Sequence, residues 1–182
     1  LHKETLVRIG GVPIYVGFLL GLISVLFTGD FESISIENIS IYGRILIITS
    51  SSIFLLGLLD DLFNLSPIFR LVFQFLVASI AWVSNLKIES LDLSFLYPNL
   101  NYLELPIVIS YLITVFWIAG IINAINWMDG ADGLGTSLII IASCSFLVVE
   151  LSNNFFYVRC ILVSIIGSAV AFLILNYNPA KI

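Results

Sequence analysis

Six long apolar runs separated by short polar connections dominate this sequence: Val12–Phe27, Ile45–Leu59, Pro67–Val83, Leu105–Ile122, Leu134–Val149 and Tyr157–Leu175. Each approaches the roughly 20 residues, with about 17–25 tolerated, that carry a helix across the bilayer hydrocarbon. The second run is short, but Ile41–Tyr42 can extend it and Arg44 can reach back to the interface. Of the 182 residues 60% are apolar and 10% charged, against roughly 25% charged in a soluble domain. A water-soluble core of this size cannot hide so much hydrocarbon, so the lipid bilayer must solvate it. The expected fold class is all-α, a polytopic integral membrane helical bundle with about six transmembrane helices. No repeat or long linker divides the series, so residues 1–182 read as one transmembrane domain. The longest connection, Ser84–Glu104, alternates polar and apolar residues and suits a short hairpin or an interfacial segment.

A net charge of −5 argues against a nucleic-acid partner, which would need a basic face. Cys144 and Cys160 sit in apolar runs without metal-ligand spacing and read as small buried hydrophobes. The run after Pro13 follows a polar stretch and lacks a small-residue cleavage site, so it does not read as a signal peptide.

Counting crossings sorts the connections. Residues 2–11, 60–66, 123–133 and 176–182 fall on one side; 28–44, 84–104 and 150–156 fall on the other. Lys3, Arg8, Arg70 and Lys181 face Arg44, Lys87 and Arg159, a balance too even to orient the chain. Every unusual polar cluster, however, lands on the first side.

Asp60 and Asp61 close the second run, at a helix end whose dipole is already negative and near hydrocarbon that penalises charge. A helix stop needs neither acid. Such a pair can bind a hard divalent cation or accept a proton. Ser66-Pro67 then offers an N-cap hydroxyl and a proline at the first helical position. Arg70, in the next turn, can pair with Asp61 or clamp a phosphate with its planar fork.

The second cluster is Asn123-Ala-Ile-Asn126-Trp-Met-Asp129-Gly130-Ala-Asp132-Gly133-Leu134. Its two amides and two acids, at spacing three, share a face if the backbone stays near helical. Gly130 and Gly133 permit a break and close backbone approach to a ligand. Asp132 is placed to cap the following helix. His2, Lys3, Arg8 and Gly10-Gly11 before the first run, and Asn176 to Lys181 after the last, fit topology anchors or loops shaping the same site.

With these motifs in view, the chain resembles the polyprenyl-phosphate N-acetylhexosamine-1-phosphate transferase superfamily. The likeness runs through Arg8-Ile9-Gly10-Gly11-Val12-Pro13-Ile14, Gly57 to Arg70, Asn123 to Leu134 and Asn176 to Lys181. It implies an enzyme of roughly ten or eleven helices in the plasma (inner) membrane with its site on the cytoplasmic face. The enzyme would use Mg²⁺, with Mn²⁺ as a substitute, and move a sugar 1-phosphate from a UDP-sugar to undecaprenyl or another polyprenyl phosphate. UMP would leave, and a cell-envelope polysaccharide would be initiated. Carried over by motif, Asp60, Asp61, Asp129 and Asp132 are the catalytic acids. Arg70, Asn123, Asn126, Gly130 and Lys181 bind substrate, and Asp61 and Asn126 hold the metal. Val7-Arg8-Ile9-Gly10-Gly11 favours the branch that uses UDP-GlcNAc over the phospho-MurNAc-pentapeptide branch. The oligomeric state stays open, a homodimer included.

Two departures stand out. Many bacterial members continue Asp-Asp-x-x-Asp, where this chain has Asn64, which puts a metal role for residue 64 in doubt. Relatives also follow the asparagine-rich stretch and lysine with a Gly-Asp segment, and this chain stops at Ile182. The chain therefore reads as a fragment, incomplete at both ends, expected to lack turnover by itself. The rival from another class, a cation- or proton-coupled transporter, predicts acids near mid-span and an inverted repeat. A non-catalytic membrane subunit would not need the asparagine and aspartate array.

Overall fold

The computed structural model describes residues 10–28, 41–94, 102–128, 133–152 and 156–176. Six helices form, α1 (Gly11–Thr28), α2 (Ile41–Phe63), α3 (Pro67–Val83), α4 (Ile107–Met128), α5 (Leu134–Glu150) and α6 (Phe156–Asn176). Between α3 and α4 lies the expected hairpin, β1 (Ser90–Asp92) antiparallel to β2 (Tyr102–Glu104), with Leu91 opposite Leu103. Stretches of α2, α4 and α6 (Gly43–Phe63, Ile107–Met128 and Phe156–Ile174) are long and apolar enough to cross a membrane. The apolar helices at Gly11–Ser24, Pro67–Val83 and Leu134–Glu150 are shorter.

The surface is that of a membrane protein. Large apolar side chains point outward on every helix, among them Leu20, Leu55, Ile68, Phe116, Phe146 and Ile174. Soluble monomers do not carry apolar patches of that extent. The interior instead gathers small and polar residues: Ala78, Ala81, Ala119 and Ala169 beside Gln74, Ser110, Thr114, Thr136, Ser143 and Ser164. Small residues let helix backbones approach closely in lipid, where no hydrophobic force drives helices together. Serine and threonine are tolerated because their hydroxyls bond the preceding turn, as Ser51 does to the Ile47 carbonyl and Ser164 to that of Cys160. Cys144, expected to be buried, is exposed on α5, where its apolar thiol suits an outward face; Cys160 is half-buried.

Packing neighbours run in the order α5–α6–α1–α2–α3–α4. Paired positions show antiparallel neighbours. Gly17 meets Ser168 while Gly21 meets Ser164; Tyr15 bonds Ser51 while Gly11 lies near Gly57 and Asp61. On α3 and α4, Gln74 bonds Asn123 while Trp82 bonds Ser110. Gly10, Asp60, Asp61, Arg70 and Asn123 therefore gather at one end of the bundle, as the crossing count requires. The hairpin sits at the other. Ser110 Oγ accepts from Trp82 Nε1 at 3.1 Å and donates to the Ile88 carbonyl at 2.7 Å. The Ile88 N–H donates to Thr114 at 3.0 Å.

Two helix ends differ from expectation. The acids do not stop α2; it continues to Phe63 and ends at Asn64, whose φ of 50° is left-handed. The Asn64 N–H donates to the Asp60 carbonyl at 2.8 Å, closing a left-handed C-terminal cap. Asparagine tolerates that conformation better than most residues, which gives position 64 a backbone duty. Helix α4 continues past Ile122 to Met128, because no glycine or proline interrupts it before Gly130.

The α1–α6 contact depends on glycine. A Cβ built on Gly21 would lie 2.8 Å from Ser164 Oγ and 2.9 Å from its Cβ. Gly21→Val in the complete protein should lower stability by about 1–3 kcal/mol through overpacking, read as a lower melting temperature in detergent.

Candidate active site

The site is built on α3. Ser66 caps its start, accepting from the Phe69 N–H at 3.2 Å, and Pro67 takes the first helical position, both as expected. The connection from Asn64 to Ser66 is short, so α3 turns straight back along α2. That places Arg70 beside the end of α2, where its Nη1 donates to Asp60 Oδ2 at 2.5 Å. Arg70 thus pairs with Asp60, whereas the sequence suggested Asp61. The reason is helical geometry. Adjacent residues project about 100° apart, so only one of two neighbouring acids can face α3. Asp61 turns instead towards α1, where it lines a crevice with Gly11, Val12, Phe54, Gly57 and Leu58. Asp60 is the more sheltered acid; Asp61 is exposed.

One turn along α3 from Arg70 stands Gln74, only 6% exposed. Its Oε1 accepts from Asn123 Nδ2 at 2.6 Å, and the same amide group reaches the Ala119 carbonyl at 2.8 Å. Arg70 and Gln74 therefore tie α3 to α2 on one side and to α4 on the other. Sequence reasoning passed over Gln74. The available signal was its being the one amide in the run Pro67–Val83, four residues beyond Arg70. Asn123, expected to bind substrate, spends its donor group on this helix–helix contact. Asn126, three residues further along α4, is exposed.

Asp129, Gly130, Asp132 and Lys181 lie outside the described residues, as do His2, Lys3 and Arg8. The cap expected of Asp132 lies outside them for the same reason; at the start of α5 the described N-cap is Gly133, left-handed at φ 72°. Among the described residues no three His, Cys, Asp or Glu side chains gather as a metal cluster. The donors at this end are carboxylate and amide oxygens, the chemistry that a hard cation such as Mg²⁺ takes.

A family model described as "Glycosyl transferase family 4" matches residues 44–182. The chain belongs to glycosyl transferase family 4. Over its whole length it is 32% identical to a probable undecaprenyl-phosphate N-acetylglucosaminyl 1-phosphate transferase of Bacillus subtilis, covering 47% of that protein. It is 29% identical, again along its whole length, to a Sulfolobus acidocaldarius protein, covering 54% of it. That relative carries the provisional name UDP-N-acetylglucosamine–dolichyl-phosphate N-acetylglucosaminephosphotransferase. A phospho-N-acetylmuramoyl-pentapeptide-transferase of Lactobacillus acidophilus is 41% identical over 37% of the chain and 21% of its own length. The chain spans about half the length of the two relatives it matches from end to end. No solved structure matches it.

Within this family 4 chain, the Gln74–Asn123 bond is open to direct measurement. Gln74→Leu leaves the half-buried Asn123 amide short of one partner and should cost about 1 kcal/mol. Adding Asn123→Leu should return part of that loss. Thermal unfolding of the two single variants and the double variant gives the coupling.

Proposed function

We propose that the protein carrying this chain transfers GlcNAc 1-phosphate from UDP-GlcNAc to a polyprenyl phosphate at the cytoplasmic face of the membrane. The observation that carries this reading is the convergence of the Asp60–Arg70 pair, Asp61 and the α4 asparagines at one end of the bundle. The end-to-end likeness to the Bacillus subtilis relative supports the choice of donor. The phospho-N-acetylmuramoyl-pentapeptide-transferase match covers little more than a third of the chain.

Both reactants are anions, so the site must counter charge and fix geometry. An oxygen of the acceptor phosphate attacks the sugar-bearing phosphorus of the donor. The bridging P–O bond on the nucleotide side breaks, and UMP leaves. Holding the two phosphates in line supplies much of the acceleration. Asp61, exposed at the crevice mouth, would keep the acceptor phosphate ionised by taking its proton. Arg70 holds Asp60 through one N–H and retains further donors of its five for a phosphate oxygen. Asp61 and Asn126 are the described residues that would hold Mg²⁺ or Mn²⁺. When bound, the ion supplies charge neutralisation of the donor diphosphate. Asp129, Asp132, Gly130 and Lys181 complete the proposed set from the sequence.

The test uses membranes carrying the complete protein, UDP-GlcNAc and undecaprenyl phosphate. UMP release should depend on both substrates, stop with a divalent-ion chelator and return with Mg²⁺. Asp61→Asn should lower kcat by about a hundredfold or more while thermal unfolding stays unchanged. Release from UDP-MurNAc-pentapeptide but not from UDP-GlcNAc would overturn the donor. Full activity in Asp61→Asn would overturn the role of the acids.

A further inference from the structure

We propose that the groove under the hairpin, at the end of the bundle away from the acids, binds the headgroup of a phospholipid carrying a primary amine. The proposal stands apart from the transferase reading. The groove has a volume of about 470 Å³ and lies between the end of α3, the hairpin and the start of α4. Small-molecule sites span roughly 300–1,000 Å³.

Its frame is fixed by hydrogen bonds. Trp82, in the wall, donates to Ser110 across the two helices, and Ser110 donates to the Ile88 carbonyl. Thr114 accepts from the Ile88 N–H, so α4 grips both polar groups of that residue. The Leu105 N–H donates to the Glu89 carbonyl at 2.9 Å and closes the hairpin. These bonds hold the walls without help from a ligand.

The charges select the occupant. Lys87 Nζ lies 3.1 Å from Glu89 Oε1 and 5.6 Å from the centre of the Trp82 ring. An ammonium carries three N–H donors, so Lys87 keeps others for a phosphate oxygen. Glu104, opposite Ser90 in the ladder, lines the same groove. Among the described residues no cation pairs with Glu104. Two carboxylates against one ammonium disfavour a headgroup that is only anionic. A zwitterion suits both, its phosphate at Lys87 and its amine at Glu104. The carboxylate and the Ser90 hydroxyl accept hydrogen bonds, which a primary ammonium donates and a quaternary one cannot. The aromatic face that would hold a quaternary amine is already covered by Lys87.

The position of the groove selects a lipid over a soluble zwitterion. Leu105 and Ile107 supply an apolar side to the lining. Ile107 and Val83, at the adjoining ends of α4 and α3, are 70% and 75% exposed. Tyr102 and Leu103 also point outward on β2, and an amphipathic tyrosine ring suits the membrane interface. The groove therefore opens where the apolar helices give way to the polar hairpin. A headgroup seated there leaves its acyl chains free to run along α3 and α4.

The test titrates the complete, delipidated protein in detergent, reading the first lipid bound by native mass spectrometry. Phosphatidylethanolamine should bind at least about tenfold more tightly than phosphatidylcholine or phosphatidylglycerol. Glu104→Gln should bring it down to the phosphatidylcholine level. Lys87→Gln should weaken the ethanolamine and choline lipids alike, since both bring a phosphate. Equal binding of the three lipids, preference for phosphatidylglycerol, or unchanged affinity in either variant overturns the proposal. Glycerophosphoethanolamine at the same concentration should not displace the lipid; if it does, the groove takes a soluble zwitterion and the lipid assignment fails. Separately, a small methanethiosulfonate reagent should modify Ser90→Cys in the lipid-free protein, and phosphatidylethanolamine should slow that reaction. A thiol that the reagent cannot reach means that the rest of the protein fills the groove, which also overturns the proposal.

Discussion

A polar side chain inside an apolar bundle must find a partner, and α3 is organised around that requirement. Its one cation and its one amide stand a turn apart on the same face. Arg70 reaches back to Asp60 on α2, and Gln74 is met by Asn123 from α4. Neither contact is needed to make a helix. Together they fix which way three helices face each other, and so which residues point into the end of the bundle. Breaking one would leave a polar group stranded near hydrocarbon, where replacement by water is expensive. The same interactions that align the helices therefore also present the acids.

This division of labour gives the two adjacent aspartates different fates. Asp60 is half-sheltered and tied to a guanidinium; Asp61 is exposed and faces α1. Identical side chains one position apart acquire different neighbours because the helix rotates them onto different faces. The charged pair thus leaves one acid as part of the scaffold and turns the other towards the apolar crevice.

Much of the architecture was legible from hydropathy because bilayer thickness imposes a length that the sequence must meet. The Ser66-Pro67 start of α3 was equally readable, since cap chemistry is local. Helix ends set by backbone conformation were harder. Asn64 looked like a substituted ligand position and proves to be the residue that ends α2 in a left-handed turn. At the start of α5, Gly133 holds the N-cap through its own positive φ, a backbone choice that side-chain preference does not reveal. Partner choice was harder still. Nothing in the sequence separates Asp60 from Asp61 as the mate of Arg70, because the answer depends on the rotation of α2 about its axis. Gln74 was overlooked for a related reason: a single amide in a long apolar run acquires meaning once the facing helix supplies Asn123.

The bonds at the hairpin end bear on how α3 and α4 can move. Trp82, Ser110, Ile88 and Thr114 fasten α3 to α4 at one end of the bundle, and Gln74 with Asn123 fastens them near the other. Two helices pinned at both ends behave as a single beam. They can tilt together but cannot scissor apart. Separating α3 from α4 would mean breaking polar bonds at both ends at once.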